Sequence, residues 1–397
     1  MKVLYLFDSD FPWDIRVEKS CDTLVDNGWD VHLVCRNKAC LPISEKKGKL
    51  TIHRLPYLTE TPGKLNNIIN FPLFFNPVWL NKLLQVANNY TFNVIIVRDL
   101  PMALAAILIG KLKQIPVILD MAECYPELIR LIWKYEPFKI QNLIIRNPYF
   151  VDLVEKIVLS KISHTLVMVE ESKNRLLSKG IPESKVTIVS NTPVKQKFID
   201  AKVSFPGTLK DNKDKLILLY VGFLNYSRGI DTVLESLKNY VDHNKNVYLC
   251  LVGTGTAEVS MKRMIKHYDL NEYVGFEGWV DNKLVPEYIA SSDICLVPHH
   301  KCTHWDNTIP NKLFDYMAAG KPVLVSNVDP MKRIVNETNC GLVYKDNDIN
   351  DFVTKLMSLD DKQIRHKYGI NGVNAVIDIY NWDNDSERML TCMNKYK

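Results

Sequence analysis

Short apolar runs alternate with longer helical segments along the whole chain, and this alternation constrains the fold most strongly. Strand-like apolar runs lie at residues 3–7, 31–35, 94–97 and 117–119, then again at 216–221, 247–252, 294–297 and 323–325. Segments with helical spacing lie between them, at 16–27, 102–111, 230–240 and 257–268. Strands separated by helices predict βαβ units and a parallel sheet. The chain therefore reads as α/β, with two doubly wound, Rossmann-like sheets in tandem.

One polar stretch interrupts the alternation. Residues 203–215 (VSFPGTLKDNKDK) hold a proline, a glycine and five charged side chains, which is typical of a linker. A length of 397 residues suits two domains. We therefore predict a first domain over 1–205, a second from 206 onward and a cleft between them, with ligands at the carboxyl ends of the strands.

The distribution of charge separates the two halves. Residues 1–205 hold 27 Lys and Arg against 20 Asp and Glu, a net charge of +7, whereas residues 206–397 hold 23 against 25, a net charge of −2. The first half therefore favours an anionic neighbour. The overall charge of +5 is weak for a nucleic-acid binder, and no RNA- or DNA-binding motif is present.

Cysteine content and hydropathy indicate the compartment. The nine cysteines include no CxxC pair, and an odd number cannot pair completely, so we expect a reducing compartment. The first ten residues predict a β-strand rather than a signal peptide. The sequence contains no apolar run of about 20 residues, so we expect no membrane-spanning helix.

The densest chemical signal lies at residues 305–326, WDNTIPNKLFDYMAAGKPVLVS. Thr308 and Pro310 precede a helix predicted to begin near Asn311, and the amino end of a helix attracts anions such as a diphosphate. Lys312 would add a positive charge in the first turn. Asp315, one turn further, could accept hydrogen bonds from the two hydroxyls of a ribose. The alternative interpretation is an ordinary capped helix with a solvated acid.

Two further loops follow strands of the second half. In GFLNYSRGID, Gly222 permits a sharp turn and Arg228 could bind the same diphosphate, although a surface arginine is the alternative. The sequence GTGT at 253–256 is only a fragment of a dinucleotide fingerprint. The first strand is followed by DSDFPWDIR, which contains no glycine, so a nicotinamide enzyme is disfavoured.

These motifs, in this order, resemble glycosyltransferase family 4, whose members have the two-domain GT-B fold. The similarity extends over nearly the whole chain and includes FPWDIRVEKSCDTLVDNGWDVHLVC at 11–35, VTIVSNTP at 186–193, YVGFLNYSRGID at 220–231 and PNKLFDYMAAGKPVLVS at 310–326. The ending YNWDNDSERML is similar to the helix that returns to the first domain in this fold. The resemblance therefore implies a donor domain over 206–379 and a returning helix over 380–397.

The family transfers a sugar from a nucleotide diphosphate sugar with retention at the anomeric carbon. By this resemblance Asp315 binds the ribose, Arg228 binds phosphate, and the backbone near Trp279 and Val280 reads the base. The implied donor-binding residues are Gly222, Arg228, Gly253, Trp279, Val280, Asn307, Thr308, Ile309, Pro310, Asn311, Lys312, Leu313 and Asp315. The implied acceptor-side residues are Asp14, Arg16, Asp120 and Glu123.

Three positions depart from the family pattern. The first acid of the family's E-x7-E motif falls at Asn307, a usual basic residue falls at Phe223, and a common histidine falls at Ala122. Retaining transfer in this fold is attributed to attack assisted by the leaving phosphate. We therefore predict Arg228 and Lys312 as the catalytic residues that stabilise developing negative charge, with Glu123 as a candidate near the acceptor. The nucleotide sugar is a co-substrate, and no other cofactor or metal is expected.

Weaker signals concern metals. Asp8 and Asp10 form a DxD pair, and His299, His300, Cys302 and His304 cluster in one loop, but neither has the spacing of a strong metal site.

Two stretches suggest a membrane. Residues 61–97 contain no acid, and residues 130–149 interleave basic and aromatic side chains, among them Arg130, Lys134, Lys139 and Arg146. This profile is typical of a segment lying on an anionic bilayer, and helices packed on the sheet are the alternative.

The sequence thus predicts a retaining, metal-independent glycosyltransferase that is cytoplasmic and peripheral at the inner face of the plasma membrane. Its acceptor would be a saccharide or a lipid-linked intermediate in cell-surface polysaccharide or glycolipid synthesis. A nucleotide-sugar epimerase or hydrolase and a non-catalytic nucleotide-sugar-binding subunit are the alternatives.

Overall fold

Two units divide the chain between them in the computed structural model, which describes residues 1–12, 14–135, 146–195, 198 and 201–397. The first unit is Met1–Val189 together with Ser386–Lys397, and the second is Ser190–Asp385. The chain thus passes between units at residues 189 and 190, upstream of the polar stretch 203–215. Its last twelve residues group with the first unit.

A twisted sheet forms the centre of the first unit. Its strands are β1 (Lys2–Asp10), β2 (Asp30–Arg36), β3 (Ser44–Lys47), β4 (Leu50–Arg54), β5 (Val94–Arg98), β6 (Val117–Met121), β7 (His164–Val167) and β8 (Val186–Ile188). In the described part of this unit their order is β3-β4-β2-β1-β5-β6-β7-β8, with only β3 antiparallel to its neighbour. Strand order reverses between β1 and β5, so the carboxyl ends of those strands flank the crevice where such sheets bind ligands.

Helices connect these strands. They are α1 (Ile15–Asp26), α2 (Lys64–Ile69), α3 (Pro77–Asn89), α4 (Ala103–Lys113), α5 (Tyr125–Tyr135), α6 (Pro148–Lys161) and α7 (Glu170–Ser178). The start of α3 shows how the sequence sets these elements. The Asn76 side chain accepts a hydrogen bond from the backbone of Val78 at 2.8 Å, and Pro77 occupies the first turn, where no backbone donor is needed. Its apolar side then buries Trp79 and Leu83 in the core.

The second unit has a sheet that is parallel throughout its described strands. They are β9 (Leu216–Val221), β10 (Val247–Val252), β11 (Val274–Gly278), β12 (Ile294–Val297), β13 (Val323–Ser326) and β14 (Gly341–Tyr344), in the order β11-β10-β9-β12-β13-β14. The helices are α8 (Ile230–Val241), α9 (Glu258–His267), α10 (Val285–Ala290), α11 (Lys312–Ala318), α12 (Asp329–Thr338), α13 (Ile349–Ser358), α14 (Lys362–Asp378) and α15 (Trp382–Met393), which continues into the first unit. The prediction of two Rossmann-like α/β sheets is confirmed.

The polar stretch 203–215 packs against the second unit. Thr208 donates from its backbone and its hydroxyl to Glu277 of β11, at 2.7 and 2.5 Å, and the Ser204 hydroxyl donates to Glu287 of α10 at 2.6 Å. Composition suggested a linker because these side chains are polar. The structure satisfies them with carboxylates from β11 and α10, so the stretch is an ordered part of the second unit.

Candidate functional site

Three loops meet at the carboxyl end of the second sheet, because β10, β9 and β12 are neighbours there. The loop after β9 bonds to the loop after β10, with the backbone of Leu224 donating to Thr254 at 3.0 Å. It also packs against the loop after β12, where a Cβ at Gly229 would lie 1.9 Å from the carbonyl oxygen of Pro298. Gly229 has a φ of 68°, so glycine meets both the steric and the conformational requirement.

Two cations lie where these loops converge. The Arg228 guanidinium lies 4.4 Å from the ring centroid of Trp305, and the Lys312 ammonium lies 3.8 Å from that of Tyr220. Both arrangements are cation–π contacts, which hold a positive charge without cancelling it. Neither cation forms a salt bridge with any described carboxylate. The site therefore concentrates positive charge that no described carboxylate neutralises by direct pairing, although the Asp315 carboxylate acts electrostatically on Lys312.

Burial and the neighbouring Arg228 guanidinium both favour the neutral form of the Lys312 side chain. Burial lowers the pKa of Lys312 well below its ordinary value and Arg228 lowers it further, while Asp315 opposes the change. A bound anion would relieve this repulsion, because an opposite charge favours the protonated ammonium. The arrangement can therefore attract and hold a phosphate or diphosphate.

Adjacent histidines in the loop after β12 have opposite roles. His299 is fully buried and its Nε2 lies 2.5 Å from Nη1 of Arg228, and burial together with Arg228 keeps its pKa well below the ordinary value. His300 bonds instead to Asp231 and Asp346, at 3.0 and 2.9 Å. Although burial opposes it, these carboxylates raise the pKa of His300 to about 9, so it is charged and fastens the loop. Within the described residues, no group of three His, Cys, Asp or Glu side chains could hold a metal ion.

The other donor-side candidates differ in exposure. Asp315 is half-buried in α11, one turn after Lys312, and Asn311 is exposed. Leu313 is completely buried in the core, so its side chain is not presented to a ligand. Trp279 is 78% exposed directly after β11. Helix α11 has only seven residues, so the side chains of Arg228 and Lys312 supply the charge rather than a long helix dipole.

The remaining donor-side candidates line the same loops. Asn307 donates to the carbonyl oxygen of Thr303 at 2.7 Å. Gly222 lies close to Lys312, whose Nζ is 2.7 Å from where a Cβ at 222 would be. Thr308, Ile309 and Pro310 are buried, Val280 is half-buried, and Gly253 lies against the backbone of Gly222.

The acceptor-side candidates of the first unit are placed differently from what the sequence suggested. Arg16 and Asp120 are each 1% exposed and bond to one another, with the shortest distance 2.6 Å. Asp120 also accepts from Tyr5 at 3.1 Å and from Arg98 at 3.4 Å. Burial would raise the pKa of Asp120, but Arg16 and Arg98 hold it below its ordinary value. This correction follows from pairing, because a carboxylate and guanidinium that satisfy each other underneath the surface have no free face for an acceptor.

Asp99 was missed by sequence reasoning. It follows β5 with a φ of 58°, unusual for a residue other than glycine, and its Oδ1 accepts from the backbones of Ala122 and Glu123 at 2.8 and 3.1 Å. Burial raises its pKa to about 6 although Arg98 opposes the shift. Asp99 thus fixes the segment that carries Glu123. Asp14, another acceptor-side candidate, caps α1 by accepting a hydrogen bond from the backbone of Val17. The adjacent charges of Arg98 and Asp99, at the end of the buried strand β5, were the sequence signal that pointed to this residue.

Family comparisons cover both units. The family described as "Glycosyl transferase 4-like domain" matches residues 15–192, and "Glycosyl transferases group 1" matches residues 204–374. An uncharacterised glycosyltransferase of Methanocaldococcus jannaschii is 24% identical over 209 residues, which are 51% of this chain and 52% of the relative. The putative colanic acid biosynthesis glycosyltransferase WcaL of Salmonella typhimurium is 22% identical over 46% of this chain and 44% of its own length. The chain thus spans about half the length of the curated relatives it matches.

Solved structures resemble the fold over nearly the full chain. Sucrose-phosphate synthase from Thermosynechococcus elongatus has a TM-score of 0.79 at 17% identity and covers 100% of this chain and 98% of its own. Anabaena HepE in complex with UDP-glucose has a TM-score of 0.74 at 12% identity, with 100% of both chains covered. WaaG, a glycosyltransferase involved in lipopolysaccharide biosynthesis, has a TM-score of 0.70 at 14% identity and covers 98% of this chain and 99% of its own.

Proposed function

Because the chain belongs to the family 4-type glycosyltransferases, which have the GT-B fold, we propose that it transfers a sugar from a nucleoside diphosphate sugar to a saccharide or lipid-linked acceptor. The product would be a cell-surface polysaccharide or glycolipid, and transfer would retain the configuration of the anomeric carbon. Support for this product class comes from WcaL and WaaG, whose names refer to colanic acid and lipopolysaccharide biosynthesis.

One observation carries the proposal: two cations of neighbouring loops, Arg228 and Lys312, influence one another electrostatically, and each contacts an aromatic ring rather than a described carboxylate. A sugar leaves a nucleoside diphosphate as the charge on the departing phosphate grows. Fixed cations that are already desolvated stabilise that charge without reorganisation. Asp315 would receive the ribose hydroxyls, and the segment at Trp279 would lie beside the base.

In this mechanism the protein supplies the positive charge and no divalent ion is required. Turnover of UDP- and GDP-sugars by the purified full chain should therefore continue in EDTA. Loss of turnover in EDTA, with recovery in Mg²⁺ or Mn²⁺, would contradict the metal-free mechanism while leaving the transferase class intact.

Turnover also separates the alternative functions. Release of the nucleoside diphosphate that depends on a saccharide or lipid-linked acceptor identifies a transferase. Epimer formation or hydrolysis without an acceptor identifies the epimerase class. Tight binding of a nucleoside diphosphate with no turnover of any donor identifies a binding subunit.

We further propose that the first unit docks on an anionic membrane. Helix α6 buries Val151 and Val158 but exposes Tyr149, Leu153 and Ile157 along its outer side. The loop after α2 joins this apolar surface, since the rings of Phe74 and Phe150 are 5.6 Å apart. Exposed Lys156 and Lys161 lie on α6, and exposed Lys64 begins α2. Apolar side chains flanked by lysines are suited to a bilayer with negative head groups. In the described residues, no helix is long and apolar enough to cross a membrane.

The structure changes which basic residues matter for docking. Arg130 is paired with Glu127 and Asp152, so its charge is already balanced. Lys139 lies outside the described residues.

Replacing Leu153 and Ile157 of the exposed apolar side of α6 together by Asn should release the protein from acidic liposomes, measured by flotation at low and physiological salt. Ile370→Asn, an equally exposed change on α14 of the second unit, should not. Equal release by both variants, or no salt-sensitive binding of the unaltered chain, would contradict docking through α6.

A further inference from the structure

The loop after β12 holds two buried side chains against the Arg228 guanidinium, His299 on its edge and Trp305 on its face. They are 0% and 7% exposed, respectively. Nη1 of Arg228 lies 2.5 Å from Nε2 of His299, and the guanidinium carbon lies 4.4 Å from the Trp305 centroid. The two rings also support each other, because their planes meet edge to face at 89° with centroids 4.6 Å apart. Arg228 is therefore fixed in two directions.

We propose that His299 and Trp305 are positioning residues that hold Arg228 ready for the donor diphosphate without neutralising its charge. This inference rests on the proposed function. An arginine is most often fixed by a carboxylate, which would cancel the charge that a phosphate must meet. A neutral imidazole accepts the same hydrogen bond and leaves the full charge of the guanidinium. An aromatic face adds attraction and takes up no hydrogen-bond donor.

The tautomer of His299 follows from its partner. Arginine has only donors, so Nε2 of His299 must accept, and the ring proton of the neutral imidazole is on Nδ1. The imidazole stays neutral because burial lowers its pKa, and Arg228 and Lys312 lower it further. Nε of Arg228 is buried and has no hydrogen-bond partner among the described residues. The protein itself therefore leaves this donor unused.

Hydrogen bonds to the backbone also hold the loop that carries the imidazole. The Ser326 hydroxyl donates to the carbonyl oxygen of His299 at 2.5 Å, and the backbone of His300 donates to Ser227 at 3.1 Å. The second bond ties the loop after β12 to the residue directly before Arg228. The backbones that carry Arg228 and His299 are therefore held together.

The test compares ligands with and without a diphosphate. Isothermal titration calorimetry with the full chain measures the affinities of UDP and GDP, beside uridine and guanosine. His299→Leu should weaken the preferred nucleoside diphosphate by about tenfold, because Arg228 loses the contact that orients it. The matching nucleoside should bind unchanged. His299→Gln, which can still offer an oxygen acceptor, should retain most of the affinity, and Trp305→Phe should lose less than Trp305→Leu.

A double-mutant cycle separates positioning from a general structural role. In an Arg228→Ala background, His299→Leu should have no further effect on the affinity for the nucleoside diphosphate. Additive losses, or equal weakening of nucleoside and nucleoside diphosphate, would overturn the inference. If His299→Leu does not fold, the same cycle is measured with Trp305→Phe and His299→Gln, whose losses should likewise vanish without Arg228.

The outcomes also separate this inference from the proposed function. Unaltered affinity in His299→Leu, with normal binding by the native chain, overturns the positioning role alone. If the native chain binds neither UDP nor GDP, both the proposed donor site and the positioning role are wrong.

Discussion

The two units each bury a cluster of charge at the carboxyl end of their sheet, beside the point where strand order reverses, but the clusters are composed differently. In the first unit Asp120 lies between Arg16 and Arg98, and Asp99 lies beside Arg98 at 3.6 Å. In the second unit Arg228 and Lys312 contact aromatic rings and a neutral imidazole. The first cluster is balanced within the protein, whereas the second is not.

Whether the charge is balanced determines what each cluster can do. Buried charges that pair with one another stabilise one arrangement of the fold, and removal of one partner leaves the other buried without its counter-charge. Cations held without a counter-ion lower the stability of the empty protein but favour an anionic ligand. The same edge of the same kind of sheet can thus serve structure in one unit and binding in the other.

The largest expected effect comes from breaking the balanced cluster. Asp120→Asn removes the buried negative charge that Arg16 and Arg98 share, which should lower the free energy of unfolding by about 3–5 kcal/mol. Urea denaturation measures this loss. Glu183→Gln, which removes an exposed carboxylate paired with Lys173, is the control and should leave the free energy of unfolding nearly unchanged. A loss for Asp120→Asn as small as the control would show that the buried cluster is not stabilising.

Removing a cation from the unbalanced cluster should have the opposite effect on stability. Lys312→Met relieves repulsion with Arg228, so the empty protein should be as stable as before or more so. Affinity for UDP or GDP should fall about tenfold or more, since a charge-assisted contact contributes ~1.5–3 kcal/mol. Arg228→Ala should weaken binding similarly. Lys262→Met, on the exposed side of α9, is the control for affinity. Clear destabilisation of the empty protein by Lys312→Met would argue against an unbalanced site.

The same contrast exists within one loop, since the charge of His300 is balanced by two carboxylates whereas its neighbour His299 is neutral. Its pKa is raised from an ordinary 6.5 to about 9, so its contribution is complete below pH 6.5 and is lost as the pH rises through 9. His300→Gln should therefore lower stability by on the order of 2 kcal/mol at pH 6, and the difference from the native chain should shrink by pH 9.5. Chemical denaturation at both values checks this. A difference that is the same at both would contradict the ion pairs with Asp231 and Asp346.

The smallest expected effect concerns Asp315, which adds negative charge beside the unbalanced cations. Asp315→Asn keeps one acceptor oxygen, so it should weaken both nucleoside and nucleoside diphosphate only several-fold, because a hydrogen bond to a charged group exceeds a neutral one by about 1 kcal/mol. Calorimetry with the four ligands measures this. Intact binding with abolished turnover and an altered pH profile would instead assign Asp315 to proton transfer.

Local sequence patterns were enough to predict the architecture and the loops of the candidate donor site. Alternating apolar and helical periods predict parallel α/β sheets because each period reports a local backbone geometry. The cations Arg228 and Lys312 were predicted because one lies in a loop after a strand and the other in the first turn of a helix, and because the resemblance to glycosyltransferase family 4 implies that Arg228 binds phosphate. The position of Asp315 one turn after Lys312 is likewise a local property of a helix.

Which charges are paired became known only from the contacts in the folded chain. Arg16 and Asp120 are 104 residues apart, and Arg228 and His299 are 71 apart, so no local pattern relates them. Sequence reasoning therefore placed Arg16 beside an acceptor when it is buried against Asp120, and it interpreted His299 and His300 as members of one cluster. The sequence states which side chains are charged, but folding decides which charged groups are buried together. This matters because desolvation raises the free energy of an unpaired buried charge, whereas an oppositely charged partner offsets that penalty.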